Sequence, residues 1–355
     1  MGLSLLNRQK IELVGLDIGT AAVKLVHLDK TADGYTLIHA SAEQITLCPN
    51  DEKQQQRNRA AAVRSCLSKA NLRSKNIVCG VSGPEVVVRS FTFPPLPAQA
   101  VEQAVQMEAR QVCPLDMQQS VLDYQLIAND PTQSPSKVQP RHGVMAVATQ
   151  RVIQEAQRLV TEAGAKPVMV DVNALVLLNC INEIIPLNPQ ETVAVIDVGG
   201  SQTNVIIYGH DGLPFVRDIN IAGARIVQQI SKATNTAEKE IWQIFAQEPS
   251  PTQLDNEFLL ALNNAVVPLA GAVNETLRFY SFQEKKSVVD RIFLCGGFAL
   301  IDAFVEFLTD ALSVPVEMLN PFSIIQNNSG TDRNETLKRN GPVFAVAAGL
   351  AMRTL

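Results

Sequence analysis

The chain has 355 residues, of which 46% are hydrophobic and 18% charged, and its net charge at pH 7 is −5. Because a single hydrophobic core stops growing at about 250–300 residues, this length predicts two domains. An acidic chain without a long basic run gives no electrostatic support for nucleic-acid binding. The six cysteines form no C-x-x-C pair, which argues against a structural zinc site and indicates reduced thiols.

Membrane and export signals are missing from the sequence pattern. No stretch approaches the roughly 18–20 apolar residues that span a bilayer. Residues 1–10 lack the apolar centre of a signal peptide and are expected to form a tail. We therefore expect a cytoplasmic protein.

An internal repeat is the strongest signal in the sequence. Leu16–Thr20 (LDIGT) and Ile196–Gly200 (IDVGG) each follow an apolar strand pattern and lead into a second one. Each copy then reaches an Asp-Gly pair, which is typical of a hairpin. Since the copies lie about half a chain apart, they predict two duplicated domains.

Strands and helices alternate in both halves, which predicts an α/β fold. Domain I is expected over residues 11–190 and domain II over 191–342, with a mostly helical subdomain at about 224–285. A C-terminal helix over 343–355 is expected to return to domain I. Residues 83–142 interrupt the alternation with a strand, an amphipathic helix and another strand. They predict a small β-α-β subdomain inserted in domain I.

The two D-x-G turns are suited to phosphate. Gly19 and Gly199 let the backbone approach a ligand closely and expose N–H groups. Thr20, Ala21 and Gly200 keep the side chains of both turns small. A tight turn with no ligand is the alternative interpretation of either motif alone, and the repetition favours phosphate binding.

Charged residues flank these turns. Lys24 follows the first turn at a distance from which its ammonium could reach a phosphate. Asp17 and Asp197 would hold Mg²⁺ through its water ligands. Farther along, Gly296 and Gly297 join a strand to a helix, which suits an adenosine and its phosphate but also an ordinary glycine turn.

Five segments resemble, in order, the phosphate-1, connect-1, phosphate-2, adenosine and connect-2 motifs of the actin-like ATPase fold. They are Leu16–Lys24, Asp171–Asn182, Ile196–Asn204, Leu294–Leu300 and Val343–Arg353. The inserted part is similar to the relocated subdomain of the PilM family. That similarity rests on Val88-Arg89, Phe93-Pro94, Val112–Leu115 and Leu122–Gln125. The cell-division protein FtsA shares this subdomain but is a more distant match.

The resemblance implies ATP or ADP with Mg²⁺ between the domains. The implied nucleotide contacts are Asp17, Gly19, Thr20, Ala21, Lys24, Asp197, Gly199, Gly200, Thr203, Gly223, Glu238, Gly296 and Gly297. Ile241 replaces the Lys that the family places after Glu238, which predicts weaker binding of adenine or ribose.

Hydrolysis would need a side chain that orients water at the γ-phosphate. Asp171 is the best positional match and Asn173 the second, although Asp171 could instead cap the following helix. A slow or silent ATPase is therefore expected.

The resemblance also implies a scaffold of the type IV pilus assembly platform. Such a scaffold would bind the N-terminal cytoplasmic peptide of a membrane-anchored, PilN-like protein beside the inserted subdomain, and would thereby reach the inner membrane and the pilus motors. Arg89, Phe93, Leu122 and Tyr124 are the expected partner contacts. The alternatives are a small-molecule kinase of the same fold and an FtsA-like filament protein. Whether the chain forms a homodimer is open.

Overall fold

The structure is a computed structural model. It describes residues 12–32, 34–48, 51–70, 72, 75–127, 140–247, 251–283, 287–327 and 337–354. The tail expected at residues 1–10 lies outside the described residues.

Domain I is built on a mixed sheet flanked by helices. Its strands are β1 (Val14–Ile18), β2 (Ala22–Thr31), β3 (Gly34–Gln44), β4 (Asn76–Val81), β8 (Lys166–Val172) and β14 (Gln326–Asn327). Its helices are α1 (Glu52–Lys69), α3 (Gln150–Glu162), α4 (Asn173–Ile184) and α9 (Ala345–Ala351). The strand order is β14-β3-β2-β1-β4-β8.

Domain II repeats the same architecture. Its strands are β9 (Val193–Val198), β10 (Thr203–Tyr208), β11 (Phe215–Ile219), β12 (Arg291–Cys295) and β13 (Val316–Met318). Its helices are α5 (Gly223–Thr234), α6 (Glu238–Ala246), α7 (Asn256–Ser281) and α8 (Asp302–Ala311). In the order β11-β10-β9-β12-β13, three antiparallel strands continue into parallel ones, as in β3-β2-β1-β4-β8. The predicted duplication is confirmed.

The inserted subdomain is a three-stranded antiparallel sheet covered by one helix. It consists of β5 (Val86–Phe93), α2 (Ala98–Val112), β6 (Ser120–Ile127) and β7 (Arg141–Thr149), with the order β5-β7-β6. Its own core includes Phe91, Val105 and Met145. Strand β7 continues past the predicted end of the insertion and belongs to this sheet, so the insertion extends beyond residue 142.

The chain passes from domain I to domain II between α4 and β9, and it returns between β13 and β14. Strand β14 pairs in parallel with β3 at Thr36 and Leu37. The return therefore occurs near residue 326, before the predicted boundary at 343. The two connections tie the two sheets together.

Within the described part of the chain, helix α7 is the one helix long and apolar enough to span a bilayer. Its most apolar 18 residues have a mean hydropathy of 1.2, and 44% of them are buried. The expectation that no segment comes near this limit was wrong. The buried side, with Leu262, Leu269 and Val273, belongs to the core of domain II, so a core position accounts for much of its apolar character.

Helix α9 packs closely on strand β1 and on helix α4 because a glycine lies at each of these two contacts. A Cβ at Gly15 would lie 2.0 Å from the carbonyl oxygen of Ala347. A Cβ at Gly349 would lie 2.1 Å from the carbonyl oxygen of Val176 in α4. Neither approach leaves room for a side chain.

We expect Gly349→Ala to lower the free energy of unfolding by about 1–3 kcal/mol, because the added methyl group must displace backbone. Gly271→Ala in α7 is the matched control, since a Cβ there meets nothing within 4 Å. That change should stabilise the protein by up to about 1 kcal/mol through helix propensity. Urea unfolding of both variants in dilute solution measures the difference, and equal effects would contradict the packing argument.

Candidate nucleotide site between the domains

The two D-x-G turns face each other across the cleft between the domains. A Cβ at Gly200 would lie 2.9 Å from Thr20 Oγ1 and 3.3 Å from Ala21 Cβ. Each turn is closed by a backbone bond: Gly19 donates to Ala22 and Gly199 donates to Gln202. The N–H groups inside the turns, such as that of Thr20, take no part in these closing bonds.

Domain II holds its turn against the start of α5. The N–H of Gly223 donates to the carbonyl of Gly199 at 3.1 Å, and that of Ala224 donates to Gly200 at 2.7 Å. These bonds fix the backbone of the second turn. Gly223, the first residue of α5, is buried and is not among the residues that line the cleft.

Two carboxylates and one ammonium lie at the floor of the cleft. Lys24 Nζ donates to Asp17 Oδ2 at 2.9 Å, and both side chains are largely buried. Burial and the negative charge of Asp17 raise the pKa of Asp197 to about 6. Lys24 therefore compensates only part of this negative charge. Oxygen ligands and uncompensated negative charge suit Mg²⁺, so Asp17 and Asp197 fit the ion that the sequence implies.

The third glycine element packs directly on the second turn. Gly296 has φ +92°, and a Cβ there would lie 2.4 Å from the carbonyl oxygen of Val198 and 2.5 Å from Asp197 Oδ1. A Cβ at Gly297 would meet nothing within 4 Å. Gly296 thus brings β12 close to Asp197, and Gly297 presents bare backbone to the cleft.

The cleft has a volume of about 820 Å³, within the range of about 300–1,000 Å³ that is usual for small-molecule sites. The predicted residues that line it are Asp17, Gly19, Thr20, Ala21, Lys24, Asp197, Gly199, Gly200, Gly296 and Gly297. The sequence-predicted phosphate, magnesium and adenosine elements therefore meet in one space.

Three predicted nucleotide contacts do not line this cleft. Thr203 is fully buried and its Oγ1 donates to the carbonyl of Ile221 at 2.7 Å. Gly223 lies against the ring of Phe298, which a Cβ would approach to 2.1 Å. Glu238 is an exposed first residue of α6. Thr203 and Gly223 are buried in packing contacts and Glu238 is exposed, and none of the three is among the residues that line the cleft.

Asp171 is also placed away from the cleft. Its Oδ2 lies 2.8 Å from Arg353 Nε in an ion pair. Burial raises its pKa, and the charge of Arg353 opposes that shift. Asn173, the second candidate, does line the cleft, and its Nδ2 donates to Ser82 Oγ at 3.3 Å. The position of Asp171 does not fit the predicted water-orienting role.

Sequence reasoning missed the polar wall that domain I contributes. Arg59 pairs with Glu155 at 2.6 Å, and Arg151 Nε donates to Glu85 at 3.0 Å. Thr149 caps α3 and also bonds to Glu85. The capping Thr149 and the nearby Arg151 were visible in the sequence. Their common partner Glu85, in the segment before β5, was not.

Duplicated α/β domains that enclose a cleft between facing glycine turns define the actin-like ATPase fold. A family model described as "Type IV pilus assembly protein PilM" matches residues 15–355. The chain belongs to this family.

Solved structures support the fold. A structure described as a PilM-PilN type IV pilus biogenesis complex is 23% identical, with a TM-score of 0.81 over 97% of this chain and 98% of that one. EutJ from Carboxydothermus hydrogenoformans is 13% identical, with a TM-score of 0.56 over 96% and 88%. MreB5 of Spiroplasma citri bound to ADP is 12% identical, with a TM-score of 0.50 over 96% and 95%.

The pKa of Asp197 makes the stability of the empty protein depend on pH. Its pKa rises from an ordinary 3.8 to about 6 on folding, so the folded state binds the proton more tightly. The stability that this gives is complete below pH 3.8 and is lost as the pH rises through about 6. Asp197→Asn should therefore gain about 2–3 kcal/mol over wild type between pH 4 and pH 8.

Urea unfolding of both proteins across that pH range measures the gain. Asp310→Asn, at an exposed position in α8, is the control, since it makes the same substitution outside the cleft. A stability difference between wild type and Asp197→Asn that does not change with pH would contradict the burial of a charged Asp197.

Proposed function

We propose that this protein binds ATP or ADP with Mg²⁺ in its cleft and serves as a scaffold in type IV pilus assembly. In this role it binds the N-terminal cytoplasmic peptide of a PilN-like membrane protein, which holds it at the cytoplasmic face of the inner membrane. Family membership supports the pilus role. The contact between the turns at Thr20 and Gly200 carries the nucleotide proposal.

The arrangement suits a polyphosphate. Two turns with small side chains offer backbone N–H groups from opposite sides, and Lys24 adds a cation beside them. Mg²⁺ would complete the charge balance at Asp17 and Asp197 and would neutralise the phosphate oxygens. The described relative MreB5, bound to ADP, has the same fold and supports the assignment of a nucleotide to this cleft.

Slow turnover follows from the residues near the phosphates. Asp171 is held by Arg353, and the amide of Asn173 cannot accept a proton as a general base. With neither of these two residues acting as the base, hydrolysis loses a contribution that is typically about 10²–10⁴-fold. The nucleotide then acts mainly as a ligand that holds the domains together.

Nucleotide binding is tested by calorimetry with Mg·ATP and Mg·ADP. Asp17→Ala and Asp197→Ala should each weaken binding about tenfold or more, since each removes a charge-assisted contact. The exposed Asp310→Ala is the matched control. Unchanged affinity in both cleft variants would reject the assignment.

The peptide site is proposed in a second cavity, beside the inserted subdomain. This cavity of about 230 Å³ lies between β5, the end of β8 and the edge strand β11. It is lined by Ser82, Gly83, Val86, Val87, Val88, Arg89, Val172, Ala174, Asn204, Val216, Arg217 and Asp218. It is smaller than the usual small-molecule pocket but has room for one or two side chains of an extended peptide.

Apolar and charged groups are divided in this groove. Val87, Val88 and Val216 offer apolar surface, and Arg89 and Asp218 place opposite charges along it. An extended peptide with an aliphatic anchor and polar flanks fits this lining. Ser90 Oγ donates to the carbonyl of Pro214 at 2.5 Å, which ties the subdomain to domain II beside the groove.

The other three expected partner contacts are part of the subdomain itself. Phe93 stacks on Phe91 at 4.9 Å between ring centroids, and Tyr124 meets Phe91 edge-on at 6.4 Å. Leu122 packs against the same core. Substituting them would disturb the fold of the subdomain, so such variants cannot separate a loss of partner binding from a loss of folding.

Arg89→Glu and Asp218→Lys probe the groove without changing a core. Each should weaken binding of the N-terminal peptide of a PilN-like protein by about tenfold, because a charge in the groove is reversed. Fluorescence anisotropy with a labelled peptide measures this, and Mg·ATP affinity should stay unchanged. Met107→Glu on the exposed side of α2 is the control. Full peptide affinity in both groove variants would exclude this cavity.

The kinase and filament alternatives give different results. A kinase of this fold would show strong ATP turnover that depends on a sugar or another hydroxyl acceptor. A filament protein would sediment with Mg·ATP as a polymer. The described arginines of the polar wall, Arg59 and Arg151, are already paired with glutamates, which gives little support to an acceptor site.

A further inference from the structure

The solvent-facing side of helix α7 lacks charged residues over most of its length. No Asp, Glu, Lys or Arg occurs between Phe258 and Asn274. The exposed positions in this stretch follow helical spacing, and Leu260 and Val267 are 62% and 58% exposed. Exposed helix faces normally carry charges, so an uncharged strip of this length is typical of a face that packs against a partner.

Small and amide residues complete the strip. Asn263 and Asn264 are exposed, and a Cβ at Gly271 would meet nothing within 4 Å. Pro268 lies inside the helix and has no N–H to donate to the carbonyl of Asn264. The strip therefore offers a close approach for a backbone, together with carboxamides that can bond across an interface.

Exposed charged residues of this strip lie only near its two ends, with Glu257 at the start and Glu275 and Arg278 at the end. Glu257 lies in the first turn of α7 and Arg278 in the last, and both are exposed. Each charge suits the dipole of its own helix end. If a second α7 packs antiparallel on the first, Glu257 of each copy faces Arg278 of the other.

We propose that this strip (the exposed residues of α7 from Glu257 to Arg278) is the interface with a second copy of the chain, formed by antiparallel pairing of the two α7 helices. The two-fold axis passes between Val267 and Pro268, midway between Glu257 and Arg278. Asn264 then lies opposite Gly271 of the second copy, so the amide side chain of one helix meets a position without a side chain on the other. A two-fold interface of this kind is self-complementary, as an isologous dimer requires.

A second copy fits the strip better than a lipid surface does. Helices that lie on membranes carry Lys and Arg along their polar flanks. The uncharged stretch supplies none, and its carboxamides favour hydrogen bonding to protein. A single helix pair buries an area at the low end of specific interfaces, so the dimer forms and dissociates with concentration.

The experiment uses the full chain in sedimentation velocity over a wide range of concentration. Wild type should shift from monomer to dimer. Val267→Glu places a charge on the two-fold axis and should leave a monomer at every concentration. Met107→Glu, at a similarly exposed position on α2, is the control and should dimerise like wild type. Thermal unfolding checks that each variant is folded.

A charge exchange tests the antiparallel register. Glu257→Arg and Arg278→Glu each set like charges against one another and should weaken the dimer about tenfold. The double variant restores opposite charges and should recover most of the affinity. A wild type that stays monomeric at its highest soluble concentration would overturn the proposal. So would a dimer unaffected by Val267→Glu, or a double variant no better than the single ones.

Co-sedimentation with anionic lipid vesicles provides the opposing result. Binding of wild type that is lost in Val267→Glu, with no dimer in solution, would show that a membrane covers the strip instead. The nucleotide cleft and the peptide groove are untouched by these substitutions, so failure here leaves the proposed function standing.

Discussion

The close approach of the two glycine turns sets the spacing of the domains. A Cβ at Gly200 would lie 2.9 Å from Thr20 Oγ1 and 3.3 Å from Ala21 Cβ, so a larger residue there would have to displace side chains of the first turn. That spacing encloses the buried Asp17 and the half-buried Asp197 together and removes much of the water around them. Burial and mutual repulsion then raise the pKa of Asp197. The negative charge in the cleft destabilises the empty folded protein, and a bound cation would compensate it. The residues of the cleft therefore favour an occupied site.

The turns were predictable because their geometry is local. A strand, an Asp-x-Gly turn and a second strand are fixed by neighbouring residues, and the repeat at half-chain spacing showed that the unit occurs twice. Thr203 and Gly223 were misplaced because motif position does not reveal what a residue packs against. The ring of Phe298, which follows a different strand, fills the space in front of Gly223.

Asp171 shows the same limit of prediction from the sequence. It lies on β8, whereas Asn173 is the first residue of α4, so the alternation of strand side chains ends between them. The ion-pair partner of Asp171, Arg353, comes from the far end of the chain. In the same way, the sequence did not show that β7 completes the sheet of the inserted subdomain, since pairing with β5 and β6 depends on distant residues.

Strand β14 has a mechanical consequence. The chain crosses between the domains once after α4 and again before Gln326, and the second crossing is anchored by pairing with Thr36 and Leu37. The two crossings define a line, and a rotation of one domain about that line stretches neither connection. Sliding of one domain along the other would instead pull on residues 319–325, the short segment between β13 and β14. The two connections therefore favour opening and closing of the cleft by rotation of one domain against the other.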